Sequence, residues 1–282
     1  NGEILNFLRS ECVKKGQLTP HYHYVSRPPF TEAEAVRRAI YLAGQTDTPL
    51  YIAHMTCREA IAELQKAKGT GQRVSGETCT HYLTTTKEVL DNPDFNEAAK
   101  FVCSPALRDR EDCEALWQAL SDGLLTAVSS DHCGIDVAEL KQAGRNDFTQ
   151  IPNGSPGAGD RLHMVWTEGV CTGKLTRQKF VDVIATQPAK INGIYPRKGT
   201  LAVGSDADVV IFDPNYEGTV HLADNPNGVD YNLYEGRRQS GRVETVLLRG
   251  QVVVENAKFV GRYGQGKFIP ANMYASGYEN RN

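Results

Sequence analysis

No apolar run in the 282-residue sequence approaches the roughly 18 residues that a membrane-spanning helix needs, so no membrane partner is expected. A basic excess is missing too. Lys and Arg number 31 against 34 Asp and Glu, a net charge of −3, which argues against a nucleic-acid-binding protein. The seven cysteines, at 12, 57, 79, 103, 113, 133 and 171, are odd in number, scattered and without a Cys-x-x-Cys pair. A disulfide framework is therefore not expected, and reduced thiols in a cytoplasmic protein are. The first residues, Asn1 to Leu8, lack an initiator Met, a basic start and a cleavage pattern, so they do not read as a signal peptide. Because Ile4, Leu5, Leu8 and Val13 already follow a helical stripe, the sequence is expected to be a piece of a longer chain.

What is present reads as globular: 40% hydrophobic and 23% charged residues, with a mean hydropathy of −0.42. Two textures divide the chain. From 1 to 194 short apolar runs alternate with helical patterns. Leu50-Tyr51-Ile52-Ala53 is a strand candidate, followed by a helix over 58–68 with Ala60, Ile61, Leu64 and Ala67 on one face. Further strands are predicted over 73–83, 101–103 and 124–128, with helices over 112–120, 162–171 and 176–185. Such alternation predicts an α/β fold with a parallel sheet. From 195 to 258 the sequence is β-rich, and Arg249-Gly250-Gln251 reads as a turn in an antiparallel module without helices. The stretch 259–282, rich in Gly, Tyr and Asn, reads as a tail and a possible oligomer contact.

In α/β barrels the chemistry gathers where strands end. His54 follows the first strand candidate, Ser104 follows 101–103, and Asp131 follows the run ending at Ser130. A histidine and an aspartate on one rim are both zinc-ligand types, and a carboxylate beside a metal-bound water suits proton transfer in hydrolysis. The bland reading of each is a hydrogen-bonded core histidine and a turn aspartate. His21-Tyr22-His23 has ligand-like spacing but lies in what reads as an irregular connection, so it is not expected to bind metal. Support of the site is the most that His132 suggests, and His81, His163 and His221 show no usable pattern. Gly154-Ser155-Pro156-Gly157 lacks the Lys-Ser/Thr of a phosphate loop and reads as a binding loop beside Asn153. Nothing near Cys57 in sequence would activate its thiol, so packing is expected of it.

Several segments together carry a resemblance: Tyr51-Ile52-Ala53-His54-Met55-Thr56-Cys57, Gly76-Glu77-Thr78-Cys79-Thr80-His81-Tyr82-Leu83, Cys103-Ser104-Pro105-Ala106-Leu107-Arg108, Ser129-Ser130-Asp131-His132-Cys133, Phe148 through Gly154, and Pro196 through Asp208. In order and spacing the chain resembles the cyclic amidohydrolases, specifically the D-hydantoinase/dihydropyrimidinase family. The resemblance implies the C-terminal part of a (β/α)8 amidohydrolase barrel plus the C-terminal segment of a small β-sandwich. It also implies zinc-dependent hydrolysis of the cyclic amide bond of hydantoins or 5,6-dihydropyrimidines, a cyclic imide or ureide substrate, and a homotetramer. On this resemblance His54 and Asp131 match metal ligands and Asp131 the proton shuttle. Ser104 and Asn153 match residues that hold the ring's amide groups, largely through main-chain atoms. The family's His-x-His pair, carbamylated lysine and remaining histidine lie upstream of the segment matching Asn1-Gly2-Glu3. The 282 residues alone are therefore expected to hold no binuclear centre and to be inactive. The alternative expectation is a non-catalytic scaffold or assembly protein of the same fold.

Overall fold

The computed structural model describes residues 1–271. Compaction divides them into two units, Asn1–Arg161 with Val220–Gly236, and Leu162–Thr219 with the chain from Arg237 onward. The division falls at 161/162, whereas the change of sequence texture falls at 195. No described helix is long and apolar enough to cross a membrane.

The first unit is built on three short parallel strands in spatial order β1 (Leu50–Ile52), β2 (Val74–Cys79), β3 (Ala127–Ser129). Leu50 pairs with Val74 and Cys79 with Ser129, so β2 is shared by both neighbours. Parallel neighbours need long crossovers, and helices provide them. Arg58–Gly69 joins β1 to β2 and buries Ala60, Ile61, Leu64 and Ala67, the stripe its sequence spacing predicts. Arg110–Ser121 lies between β2 and β3 and buries Cys113, Leu116, Trp117 and Leu120. Gly76 in β2 lets the Met55 side chain pack close, since a Cβ there would sit 2.7 Å from the Met55 sulfur.

Two strand expectations fail. In the 73–83 stretch the ladder ends at Cys79, and Thr80–Thr84 is a buried helical turn closed by Thr84 Oγ1 donating to the Thr80 carbonyl at 2.8 Å. The segment 101–103 is not a strand either. It leaves the helix Phe95–Ala99 through tight turns, and the Lys141 ammonium, not a neighbouring strand, meets the Ala99 and Val102 carbonyls.

In the second unit, the expected helices over 162–171 and 176–185 form, each passing without a break into a widened turn, Trp166–Val170 and Asp182–Thr186, the second running on as a helix to Ile191. Its antiparallel sheet runs β4 (Val209–Thr219), β5 (Arg238–Leu248), β6 (Gln251–Glu255), β7 (Lys258–Phe259) in sequential order. Arg249 and Gly250, at φ +49° and +79°, make the two-residue turn between β5 and β6 that the sequence signals. Trp166 packs edge-on against Phe180 and Phe212, with ring centroids 5.2 and 4.8 Å away. Contrary to the expectation of no helices after Tyr195, Leu222–Asp224 forms one short turn. Tyr274 and Tyr278, part of the expected oligomer contact, lie outside the described residues.

Asp112, almost fully buried, accepts both the main-chain N–H and the Nε–H of Arg58 at 3.0 Å, capping a helix whose own N-cap, Cys57, provides no side-chain bond. Removing a cap of this kind costs about 0.5–2 kcal/mol. Asp112→Ala is expected to lower the urea midpoint by that amount of stability; an unchanged midpoint would remove Asp112 from the cap.

Candidate active site at the strand ends

His54 comes two residues after β1 and Asp131 two residues after β3, so both sit at the carboxyl end of the same parallel sheet with β2 between their strands. Both have left-handed backbone, φ +43° and +44°. A non-glycine residue in this region costs about 1–3 kcal/mol and persists only where its surroundings hold it. Among the described residues the other four of this kind, Asp47, Arg249, Asn256 and Ala257, lie in connecting turns. His54 and Asp131 instead follow the two strands that flank the central strand of the parallel sheet.

Polar side chains crossing the sheet hold the two ends. The Glu77 carboxylate, half-buried on β2, accepts the Tyr51 hydroxyl of β1 at 2.5 Å and the Ser129 hydroxyl of β3 at 2.8 Å. The Met55 N–H donates to the Glu77 carbonyl at 2.8 Å and Thr78 Oγ1 donates to the Met55 carbonyl at 2.8 Å, binding the residue after His54 to β2. Farther along, Glu32 accepts from the Thr56 N–H at 2.8 Å and from Arg108 at 3.1 Å, while Arg108 Nε donates to Thr56 Oγ1 at 2.9 Å. This buried ion pair ties the loop after His54 to the loop after Ser104.

Ser104 and Asn153, 49 residues apart, come together: Ser104 Oγ donates to Asn153 Oδ1 at 2.9 Å. Behind them, His23 Nε2 donates to the Cys103 carbonyl at 2.7 Å, the tautomer being set by the carbonyl's inability to donate. Tyr82 donates to the Pro105 carbonyl at 2.8 Å. A cavity of about 560 Å³ is lined by His54, Ser104, Tyr51, Met55 and Arg108 among others; Asp131 and Asn153 are not on its wall.

The remaining expectations resolve individually. His23 is buried in the Cys103 contact, and His21 pairs with Asp91 at 2.6 Å, so the His-x-His pair is structural. His21 precedes the helical turn Tyr22–Val25, without a side-chain capping bond, where an irregular connection was expected. The His132 ring accepts the Gly157 N–H at 3.3 Å and so braces the 154–158 loop. Cys57 is fully buried and burial pushes its thiol up, away from nucleophilic use. Asp131 lies close enough to Cys79, Tyr82 and Cys103 that its charge adds to the upward push burial gives their acidic groups.

Among the described residues no group of three or more His, Cys, Asp or Glu side chains is placed to hold a metal ion. A catalytic zinc takes about three protein ligands plus water. His54 and Asp131 supply suitable donor types, but by themselves the described residues do not fit a zinc centre.

A parallel α/β sheet with a histidine and an aspartate at its carboxyl ends, with a separate antiparallel sheet elsewhere in the chain, is the architecture these elements define. The amidohydrolase family profile matches residues 32–253, and the chain belongs to that family. It is similar to the D-hydantoinase of Ralstonia pickettii, 47% identical over 274 residues, which are 97% of this chain and 60% of the relative. The dihydropyrimidinase of Arabidopsis thaliana is 38% identical over 95% of this chain and 50% of its own length. The crystal structure of dihydropyrimidinase from Brevibacillus agri superposes with a TM-score of 0.95 at 43% identity, covering 98% of this chain and 59% of that one. The chain thus spans 50–60% of the length of these relatives.

Burial holds two histidines neutral. His81 is pushed down to about 3, first by desolvation and then by His54, and His23 falls well below its usual value through burial and Arg27. The unfolded chain therefore takes up these protons first, so stability is full above about pH 6.5 and falls below it as acid protonates the histidines of the unfolded chain while the folded ones stay neutral. In urea titrations between pH 7 and 4.5, His23→Gln is expected to lose less stability with acid than the wild type; parallel losses would contradict a neutral buried His23.

Proposed function

We propose that the complete protein hydrolyses the cyclic amide bond of hydantoins or 5,6-dihydropyrimidines. The observation that carries this reading is the pair of strained residues, His54 and Asp131, ending two strands that flank the same central strand. The family membership and the similarity to D-hydantoinases and dihydropyrimidinases support it. In this reading the parallel sheet belongs to the C-terminal part of a (β/α)8 barrel formed by 1–194, and 195–258 to a β-sandwich. The protein works as a cytoplasmic homotetramer, with 259–282 as a subunit contact. His54 and Asp131 are two of the zinc ligands of the complete protein, the others lying outside the described residues.

Asp131 carries the proton chemistry. One carboxylate oxygen takes a proton from the attacking water as its oxygen bonds to the ring carbonyl carbon. That proton then passes to the amide nitrogen as the C–N bond breaks and the ring opens. Ser104 and Asn153 hold the ring's amide groups through fixed main-chain dipoles, which need no reorganisation as charge develops. The incomplete donor set among the described residues favours a second reading, a non-catalytic assembly protein of the same fold.

Asp131→Ala in the complete protein separates the two. The enzyme reading expects turnover of hydantoin and dihydrouracil to fall by roughly 10²–10⁴, the size of a lost general acid–base, with most of the zinc retained by elemental analysis. Wild-type-like turnover in the variant would refute the shuttle role, and a wild type without turnover would favour the assembly protein.

A further inference from the structure

Lys141 is fully buried in the short helix Leu140–Gly144. Its ammonium donates to the Gly154 carbonyl at 2.7 Å, the Ala99 carbonyl at 2.8 Å and the Val102 carbonyl at 3.3 Å. Three N–H bonds meet three carbonyls, and the Tyr231 ring lies 5.9 Å from the nitrogen. A buried ammonium is among the costliest groups to desolvate, and a volume-matched apolar side chain would fill the space. Holding these particular carbonyls is what the charge adds.

The position of those carbonyls gives the charge its use. Val102 precedes Ser104 by two residues and Gly154 directly follows Asn153, and the Gly154 N–H also donates to the Val102 carbonyl at 3.0 Å. Gly154 has φ +145°, and a Cβ there would lie 2.6 Å from the Cys133 Cβ, so its carbonyl is aimed by a backbone only glycine adopts. The outward result is the 2.9 Å bond between Ser104 and Asn153.

We propose that Lys141 is a positioning residue for ring binding: its ammonium sets the spacing of the two main-chain segments from which Ser104 and Asn153 hold the substrate's amide groups. The inference rests on the hydrolase reading and extends it to a residue that touches neither substrate nor Asp131.

Burial pulls the Lys141 ammonium down to about 8, and Cys103 and Cys133 act in the opposite direction. The other groups facing it are His23, held neutral by burial, and the Tyr231 phenol, pushed up by burial. Cys103 itself is pushed up to about 11 and stays a thiol in this range. Above about pH 8 the amine retains two N–H groups for three carbonyls, and the frame loosens.

The test is the kinetics of the complete protein with a hydantoin and with dihydrouracil. Lys141→Met is expected to raise KM roughly tenfold with kcat within about threefold, a loss of binding and not of chemistry. Wild-type KM is expected to rise above about pH 8, and that limb to be absent from the variant. A variant with lower Tm but wild-type KM would make Lys141 merely structural and overturn the proposal, as would a fall in kcat at constant KM. Should the variant not fold, a rise of the wild-type KM between pH 8 and 9 supports the proposal and a flat profile overturns it. If the wild type opens neither ring, the hydrolase reading fails and the proposal falls with it; turnover with an unaffected Lys141→Met variant fails the proposal alone.

Discussion

One carboxylate joins the strands that deliver both candidate ligands. Glu77 on the central strand places one oxygen on the hydroxyl of Tyr51, three residues before His54, and the other on the hydroxyl of Ser129, two residues before Asp131. Each outer strand pairs with the middle one over three residues, and the Glu77 carboxylate adds a side-chain bond to each. The strain of two left-handed residues at the strand tips needs a rigid base, and a doubly bonded, half-buried carboxylate provides it.

The same logic extends around the site. Arg108 and Glu32 fasten the His54 loop to the Ser104 loop, His23 holds the Cys103 carbonyl, and Lys141 holds the carbonyls flanking Ser104 and Asn153. These buried polar groups have partners that are mostly main-chain atoms of loops. They place loops without secondary structure where a ladder would otherwise be needed, and each would be expensive to leave unpaired. The loops can therefore carry exposed Ser104, Asn153 and Asp131 on a fixed frame.

Much of this was legible in the sequence where one element decides the outcome. The apolar run ending at Ala53 marked β1 and with it His54, and the stripe Ala60, Ile61, Leu64, Ala67 marked the helix behind it. Ser104 and Asp131 were picked out as residues after strand candidates and Asn153 by its glycine-rich loop, the resemblance adding their roles, and Ser104 and Asn153 do meet. Where distant partners decide, local reading failed. The β-branched and aromatic run Thr80–Leu83 looks like strand, yet its backbone finds no ladder partner and coils into a buried turn. Phe101 to Cys103 has strand-like side chains, but Lys141, about 40 residues away, takes its carbonyl. Glu77 and Lys141 carry no sequence signal of their roles, because each role consists of contacts with residues 13 to 52 positions distant. The break between compact units at 161/162 falls where a predicted helix begins, and nothing in the local pattern sets that helix start apart from the others.

The measurement that bears most directly on His54 and Asp131 is anomalous scattering at the zinc edge from crystals of the complete protein. The account predicts a peak about 2.0–2.2 Å from a His54 ring nitrogen and from an Asp131 carboxylate oxygen. A zinc peak elsewhere, with both side chains bonded only to protein, would contradict it.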